Sequence, residues 1–412
     1  MTRARVRTGV LLAAALLCVA APWACGSGDD DAASGGTPGP DAGGSGDATT
    51  SDGASTDGGG GGADGQQLGD APGGGVATYL YFGSTTILGF AWNAATGALT
   101  PIDMDPSTPA IDGAPSSANT FSVAAHGRFL YSGDPIAQTI SAYAIDPATG
   151  RLTRIDAVTA DGGARDLQLG QVVHILAHPT APCLYAADQG SLLRAFAIDD
   201  ATGALSLARY VTTVGTSEVL AIDAQGKTLV VQGAESGGQI AVHSLDPATG
   251  LPATIDGGNI HTINKAPEGR VSLHPSGASA YMAWEGPGAI LAFAIDPATH
   301  LISALPTVAD AGATASGAVD PSGAFYFGSS KELYAIATNG ALSTSSALPS
   351  GPWGACSAVT FDPSGAHLVA ACGGNGIVEA DVSTTTGAIT NERAVVAAAV
   401  RSQSYSFAWA HP

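Results

Sequence analysis

The chain has 412 residues, of which 12% are charged and 56 are glycine, with a formal net charge of −20 at pH 7. That acidity argues against nucleic acid and anionic lipid as general partners, while leaving room for a local basic site. So little charge beside so much glycine suits tight turns and small side chains near a crowded axis.

Taken in chain order, Arg3, Arg5 and Arg7 precede an apolar run from Val10 to Ala21. The run is too short to span a bilayer and reads, over residues 1–24, as a signal peptide. It leads into Pro22-Trp23-Ala24-Cys25-Gly26-Ser27, which resembles a bacterial lipoprotein signal, although Pro22 stands where leucine is usual. The resemblance implies lipidation of Cys25. It also implies an extracytoplasmic protein held to a bacterial membrane by its lipid alone, at the outer membrane or cell surface. Residues 25–75 follow, after Cys25, as mostly Gly, Ser, Thr, Ala and Asp without Lys or Arg. Such a segment cannot bury enough apolar surface to fold and is expected to be a disordered linker. As a flexible coil its ends would lie roughly 40 Å apart. Loss of the three leader arginines takes the charge from −20 to −23.

From residue 76 to 412 a turn recurs: NAATGAL ending at Leu99, DPATGRL at Leu152, DDATGAL at Leu205, DPATGLP from Asp246 and DPATHLI from Asp296. Two worn copies end at Leu342 and Ile389. The marker positions Gly97, Gly150, Gly203, Gly250, His300, Gly340 and Gly387 are separated by 53, 53, 47, 50, 40 and 47 residues. Alternating apolar stretches such as Ile140 to Ile145, Leu193 to Ile198 and Ile290 to Ile295 precede most of these turns and read as half-buried strands. A second, Pro- and Gly-based turn begins at His178, Asp223, His274, Asp320 and Asp362, with strands on both sides. Three or four short strands per period, with no helical pattern, predict an all-β, seven-bladed β-propeller. The first period, from Ala77 to Ser84, lacks the strand that elsewhere precedes the turn, and the chain finishes with that strand, Ser404 to Pro412. One blade is therefore expected to take strands from both termini and close the ring.

Cys18 leaves with the leader, which leaves Cys183, Cys356 and Cys372 in the propeller. Cys356 lies seven residues before Pro363 and Cys372 seven after Gly365, so hairpin pairing would set them opposite each other as a cross-strand disulfide. Cys183, on an apolar strand, is expected to be a buried free thiol.

The paired signatures, HPSG with Tyr281 four residues on, then an alternating strand and DPATG, resemble the lactonase-type seven-bladed propellers. That family includes a bacterial 6-phosphogluconolactonase and a fungal carboxymuconate cyclase, and the resemblance covers residues 76–412. It implies a site at one mouth of the channel, made by a His, two Arg and a Glu from neighbouring blades. There a general base activates water while cations hold the substrate anion and the oxyanion. Glu285, eight residues after Gly277, occupies the family glutamate position. Lys331, eight after Gly323, replaces an arginine. Arg270 and His174 each stand one residue beyond the family slots, which hold Gly269 and Val173. In a regular strand such a slip turns a side chain to the other face, unless a bulge compensates.

Glu218, six before Ala224, falls in the same set, so that charged or imidazole groups gather from four consecutive blades. Glu285, Arg270, Lys331 and His174 are thus the candidate catalytic residues, and Glu218 and Trp284 candidate ligand contacts. His178, His274 and His411 share a turn slot with Asp223, Asp320 and Asp362 and are expected to cap turns. No metal site, organic cofactor or nucleic-acid partner is expected. Two functions stay open: hydrolysis of a lactone, as a carboxylic-ester hydrolase, or non-catalytic binding of a ligand or protein by a degenerate site. Either would be carried out by a monomer acting on a small lactone or sugar-like ligand.

Overall fold

The computed structural model describes residues 77–412 apart from 85, 105–121, 136–137, 156–171, 189–190, 216, 234–237, 255–258, 264–269, 285–287, 309–315, 329–331, 344–345, 348–355, 373–375 and 397–405. The leader, Cys25 and the linker to residue 75 lie outside the described residues.

The alternating segments form seven four-stranded antiparallel sheets, the blades of a propeller. The innermost strands, in ring order from the first blade, are Phe407–Ala410, Ser122–His126, Val172–Ala177, Ser217–Ile222, Val271–Leu273, Gly317–Val319 and Cys356–Phe361. Each neighbours the next, and the seventh neighbours the first, so the ring is closed. In the first blade the strand Phe407–Ala410 pairs with Thr78–Gly83, with Phe407 opposite Phe82 and Ala410 opposite Tyr79. The amino-terminal strand therefore has partners on both sides and offers no open edge.

Second strands are buried along their whole length, as in Phe129–Asp134, Cys183–Asp188 and Thr228–Gly233, because both faces of a blade are covered by its neighbours. Along Cys183–Asp188 the side chains alternate between two cores. Leu184 packs with Tyr131 of the second blade, and Tyr185 with Leu229 and Val231 of the fourth. This is why the strands read as continuous apolar runs where one-faced sheets would alternate.

The recurring Asp-Pro-Ala-Thr-Gly turns close the outer hairpins by one mechanism. The Oδ1 of Asp146 accepts from the amides of Ala148 (2.8 Å) and Thr149 (3.0 Å), and Gly150 donates back to the Asp146 carbonyl (2.8 Å). Asp199, Asp246 and Asp296 repeat the arrangement. Gly150 adopts φ +70°, where a Cβ is disfavoured, and His300 holds the same position in the fifth blade at φ 56°.

The turns also join blade to blade. Tyr81, Tyr131, Tyr185 and Tyr281 each donate a phenolic hydrogen bond to the turn carbonyl of the following blade, at Gly150, Gly203, Gly250 and Gly340. Between the seventh blade and the first, Arg393 does this work. It donates to the Gly97 carbonyl (3.1 Å) and pairs with buried Glu379, which accepts from the Leu99 amide (3.1 Å). At the inner turns His178 accepts from the Thr180 and Ala181 amides through Nδ1 and donates through Nε2 to the Gly226 carbonyl of the next blade (2.9 Å). His274 bonds Ser276 and the Gly323 carbonyl in the same way, and Asp223, Asp320 and Asp362 accept from their own turns.

Cys356 and Cys372 face each other across the hairpin and are joined by a disulfide. Cys183 is a free, buried thiol whose pKa burial pushes up to about 12.

Two stability measurements check this account. Replacing both Cys356 and Cys372 by Ser releases a crosslink of sequence separation 16. By loop-closure entropy this should cost about 3 kcal/mol, read from urea denaturation with and without reductant. His300→Gly relieves a left-handed backbone and should raise stability by about 1 kcal/mol. A loss of stability would show that His300 makes contacts worth more than the strain.

Candidate functional site

Around the axis the inner strands enclose a cavity of about 230 Å³. One side is formed by His174, Val219, Leu220 and Arg270, from the third, fourth and fifth blades. The opposite side is formed by Ala358, Val359, Ser406 and Phe407, from the seventh and first. Hydroxyls of Ser272, Ser316 and Thr360 add polar groups between them.

His174 lines this wall, and a β-bulge lies directly before it in its strand. In the third blade Val172 pairs with Asp188 and His174 with Ala187, so Val173 is the extra, unpaired residue. Counted from the turn, His174 keeps the regular pairing that continues through Ile175 with Ala186 and Leu176 with Tyr185, so the bulge shifts only the residues before it. The fourth and seventh blades repeat the bulge at Glu218 and Ser357. All three bulged residues lie six positions before the turn slot filled by Pro179, Ala224 and Pro363.

His174 is buried, and its Nδ1 accepts a hydrogen bond from the Leu220 amide of the next blade at 3.3 Å. With Nδ1 an acceptor, the ring proton sits on Nε2, which makes His174 a neutral donor. Burial, and then the charge of Arg270, lower its pKa to about 3. Arg270 is half-buried, and its carbonyl accepts from the Ala283 amide (3.2 Å), which fixes the strand from which the guanidinium departs.

Of the residues singled out in the sequence, His174 and Arg270 are brought together at the cavity. Glu285 and Lys331 lie outside the described residues. Glu218 and Trp284 are placed as backbone on the strands Ser217–Ile222 and Ser279–Trp284, their side chains lying outside the described set. No group of three or more His, Cys, Asp or Glu able to hold a metal occurs among the described residues. Ser406 and Phe407 were not marked by any motif. Their signal was positional, since they begin the strand that completes the first blade.

Residues 83–178 match the family described as Lactonase, 7-bladed beta-propeller. The chain is a seven-bladed β-propeller, and this stretch of it resembles that family. Among solved structures it is similar to a candidate 6-phosphogluconolactonase from Bacteroides fragilis. The TM-score is 0.60 at 19% identity, over 81% of this chain and 98% of that one. It is also similar to a periplasmic gluconolactonase from Pseudomonas aeruginosa, with a TM-score of 0.59 at 15% identity over 82% of this chain and 100% of the other. No curated protein matches the sequence.

The propeller buries a second neutral histidine, His243, between the Thr213 hydroxyl (3.2 Å) and the Ala253 carbonyl (3.0 Å), and burial lowers its pKa as well. Both imidazoles titrate lower in the folded chain than in the unfolded one, so the unfolded chain binds more protons as the medium is acidified. Their stabilisation is complete above about pH 6.5 and falls below it by up to about 1.4 kcal/mol per pH unit for each. Urea midpoints between pH 7 and pH 5 should fall. His174→Asn, which keeps an acceptor for Leu220, should reduce the slope and leave the part due to His243 and to His178, whose pKa burial also lowers.

Proposed function

We propose that the lactonase-type propeller hydrolyses a small lactone in its channel cavity. The reading is carried by one observation: His174 and Arg270, from two separate blades, line the same cavity wall. Glu285 directly follows the strand Ser279–Trp284, whose Ala283 amide bonds the Arg270 carbonyl. In the proposed step Glu285 takes a proton from water, and the water oxygen adds to the lactone carbonyl. Arg270 and the Nε2–H of His174 stabilise the negative charge on the carbonyl oxygen. The ring C–O bond then breaks, the departing alkoxide takes up the proton, and a hydroxycarboxylate results. Because His174 stays neutral, its part is that of a hydrogen-bond donor and not of a base.

We further propose that the protein works outside the cytoplasm as a monomer, tethered through lipidated Cys25. The leader pattern supports this, as does the Cys356–Cys372 disulfide, a bond that persists in oxidising compartments. The Pseudomonas aeruginosa protein described as a periplasmic gluconolactonase pairs the same fold with such a location. A second reading, ligand binding without turnover, is favoured by Lys331. It stands where the family has arginine and cannot grip an oxyanion with two prongs.

The test is turnover of a lactone panel by purified protein beside Glu285→Gln. Hydrolysis that falls at least about 100-fold in the variant supports Glu285 as base. Hydrolysis unchanged in the variant refutes the site, and no hydrolysis of any lactone establishes the binding reading.

A further inference from the structure

Among the described residues of the cavity wall, Ser272, Ser316, Thr360 and Ser406 carry hydroxyls. Three of them direct their hydrogen at the protein. Ser272 Oγ donates to the Gly317 carbonyl of the following blade. Thr360 Oγ1 donates to the Phe361 carbonyl and accepts from Trp409 Nε1, both at 3.3 Å. Ser406 Oγ accepts from the Val123 amide at 2.7 Å and turns its hydrogen to Ser122 Oγ and the Val123 carbonyl, each at 3.3 Å. Ser316 is buried, 2% exposed. Two backbone groups of the wall are capped in the same manner, the Leu220 amide by His174 and the Gly317 carbonyl by Ser272.

Much of the remaining wall is hydrocarbon. Val219, Ala318, Val319, Val359 and Phe407 line the cavity half-buried, from the fourth, sixth, seventh and first blades. They cannot turn aside to admit polar groups, because each also packs into a core between blades. Val219 joins the core of Val242 and Val271, Val319 that of Tyr281 and Tyr326, and Ala318 and Val359 that of Phe327 and Phe361. Phe407 is held against the Phe82 ring at 4.8 Å.

A ligand hydroxyl leaving water needs both a donor and an acceptor to replace what it gives up, and burying it against carbon carries a penalty. The ring carbonyl of a lactone is served by His174 and Arg270 in the reading above. Beyond that one oxygen, the wall suits carbon. Pockets for drug-sized ligands run to about 300–1,000 Å³, so a cavity of about 230 Å³ also calls for a small occupant.

We propose that the cavity selects a compact lactone whose ring carries hydrogen or short alkyl groups, and discriminates against polyhydroxylated sugar lactones. The proposal rests on the cavity being the lactone site, and it assigns Val219, Ala318, Val319, Val359 and Phe407 as the residues that set the preference.

δ-Valerolactam and glucono-δ-lactam serve as probes. Both keep the ring carbonyl and resist hydrolysis far better than lactones, and they differ by the hydroxyl and hydroxymethyl groups of the sugar. Isothermal titration calorimetry of the full-length chain should show valerolactam binding tighter by about tenfold or more. Val359→Thr and, separately, Ala318→Ser each add a hydroxyl to the wall. Each should move the ratio of the two affinities toward gluconolactam by about threefold or more. The ratio is read within one preparation, so a partly folded variant still reports it. Gluconolactam bound as tightly as valerolactam by the wild type overturns the proposal, as does a ratio unmoved in both variants. Binding of neither probe at millimolar concentration overturns it too. Valerolactam preference without turnover of any lactone sinks only the hydrolase reading. Turnover of glucono-δ-lactone above that of δ-valerolactone, each divided by its spontaneous rate, sinks only this one.

Discussion

A ring of sheets must satisfy the backbone edge that each inner strand turns toward the axis. Sheet ladders cannot do it, because the neighbouring blades stand side by side and do not pair. The molecule answers with side chains reaching across the gap, Ser406 to Val123, Ser122 to Ile175 and His174 to Leu220. His174 thus holds two blades together while it lines a cavity wall with Arg270. Architecture and candidate chemistry share the same bond.

The outer parts of the blades follow a related logic. A tyrosine hydroxyl reaching the turn carbonyl of the next blade is a contact that apolar packing alone could not direct, and it ties the rotation of one sheet to the next. Where the fourth blade places Val230 in the tyrosine register, the facing turn carries His300 instead of glycine. Where the seventh meets the first, a buried carboxylate and Arg393 replace the phenol. Burial raises the pKa of that Glu379, while its partner Arg393 holds it down. The cavity accordingly sits on a frame in which five of the seven blade boundaries carry such a directional bond, a suitable base for groups that must be held in place.

The blades were legible because their turns are chemically demanding: an aspartate that accepts two amides and a glycine at positive φ leave a spaced signature. The closing strand was legible for the complementary reason, a first period one strand short. The site was half legible. Residue types gathered at the right spacing from the turns, yet His174 counted one place out. The bulge beside it, at Val173, leaves no mark on the alternation, because Val173 is as apolar as its neighbours. Partnership between Ser406 and Val123 lay further out of reach, since it joins residues 283 apart through blade packing and not through any local pattern.

The strand Phe407–Ala410 has a temporal consequence. Synthesis proceeds from the amino terminus, and blades two to seven can pair their strands as they emerge. The first blade, though made before them, waits with an unpaired edge at Thr78–Gly83 until Phe407–Ala410 emerges. During that interval the nascent molecule is an open arc with exposed edges at the gap, able to pair with the wrong strand. The strand Phe407–Ala410 therefore acts as a clasp: without it the blades remain an arc, and only a ring encloses the cavity.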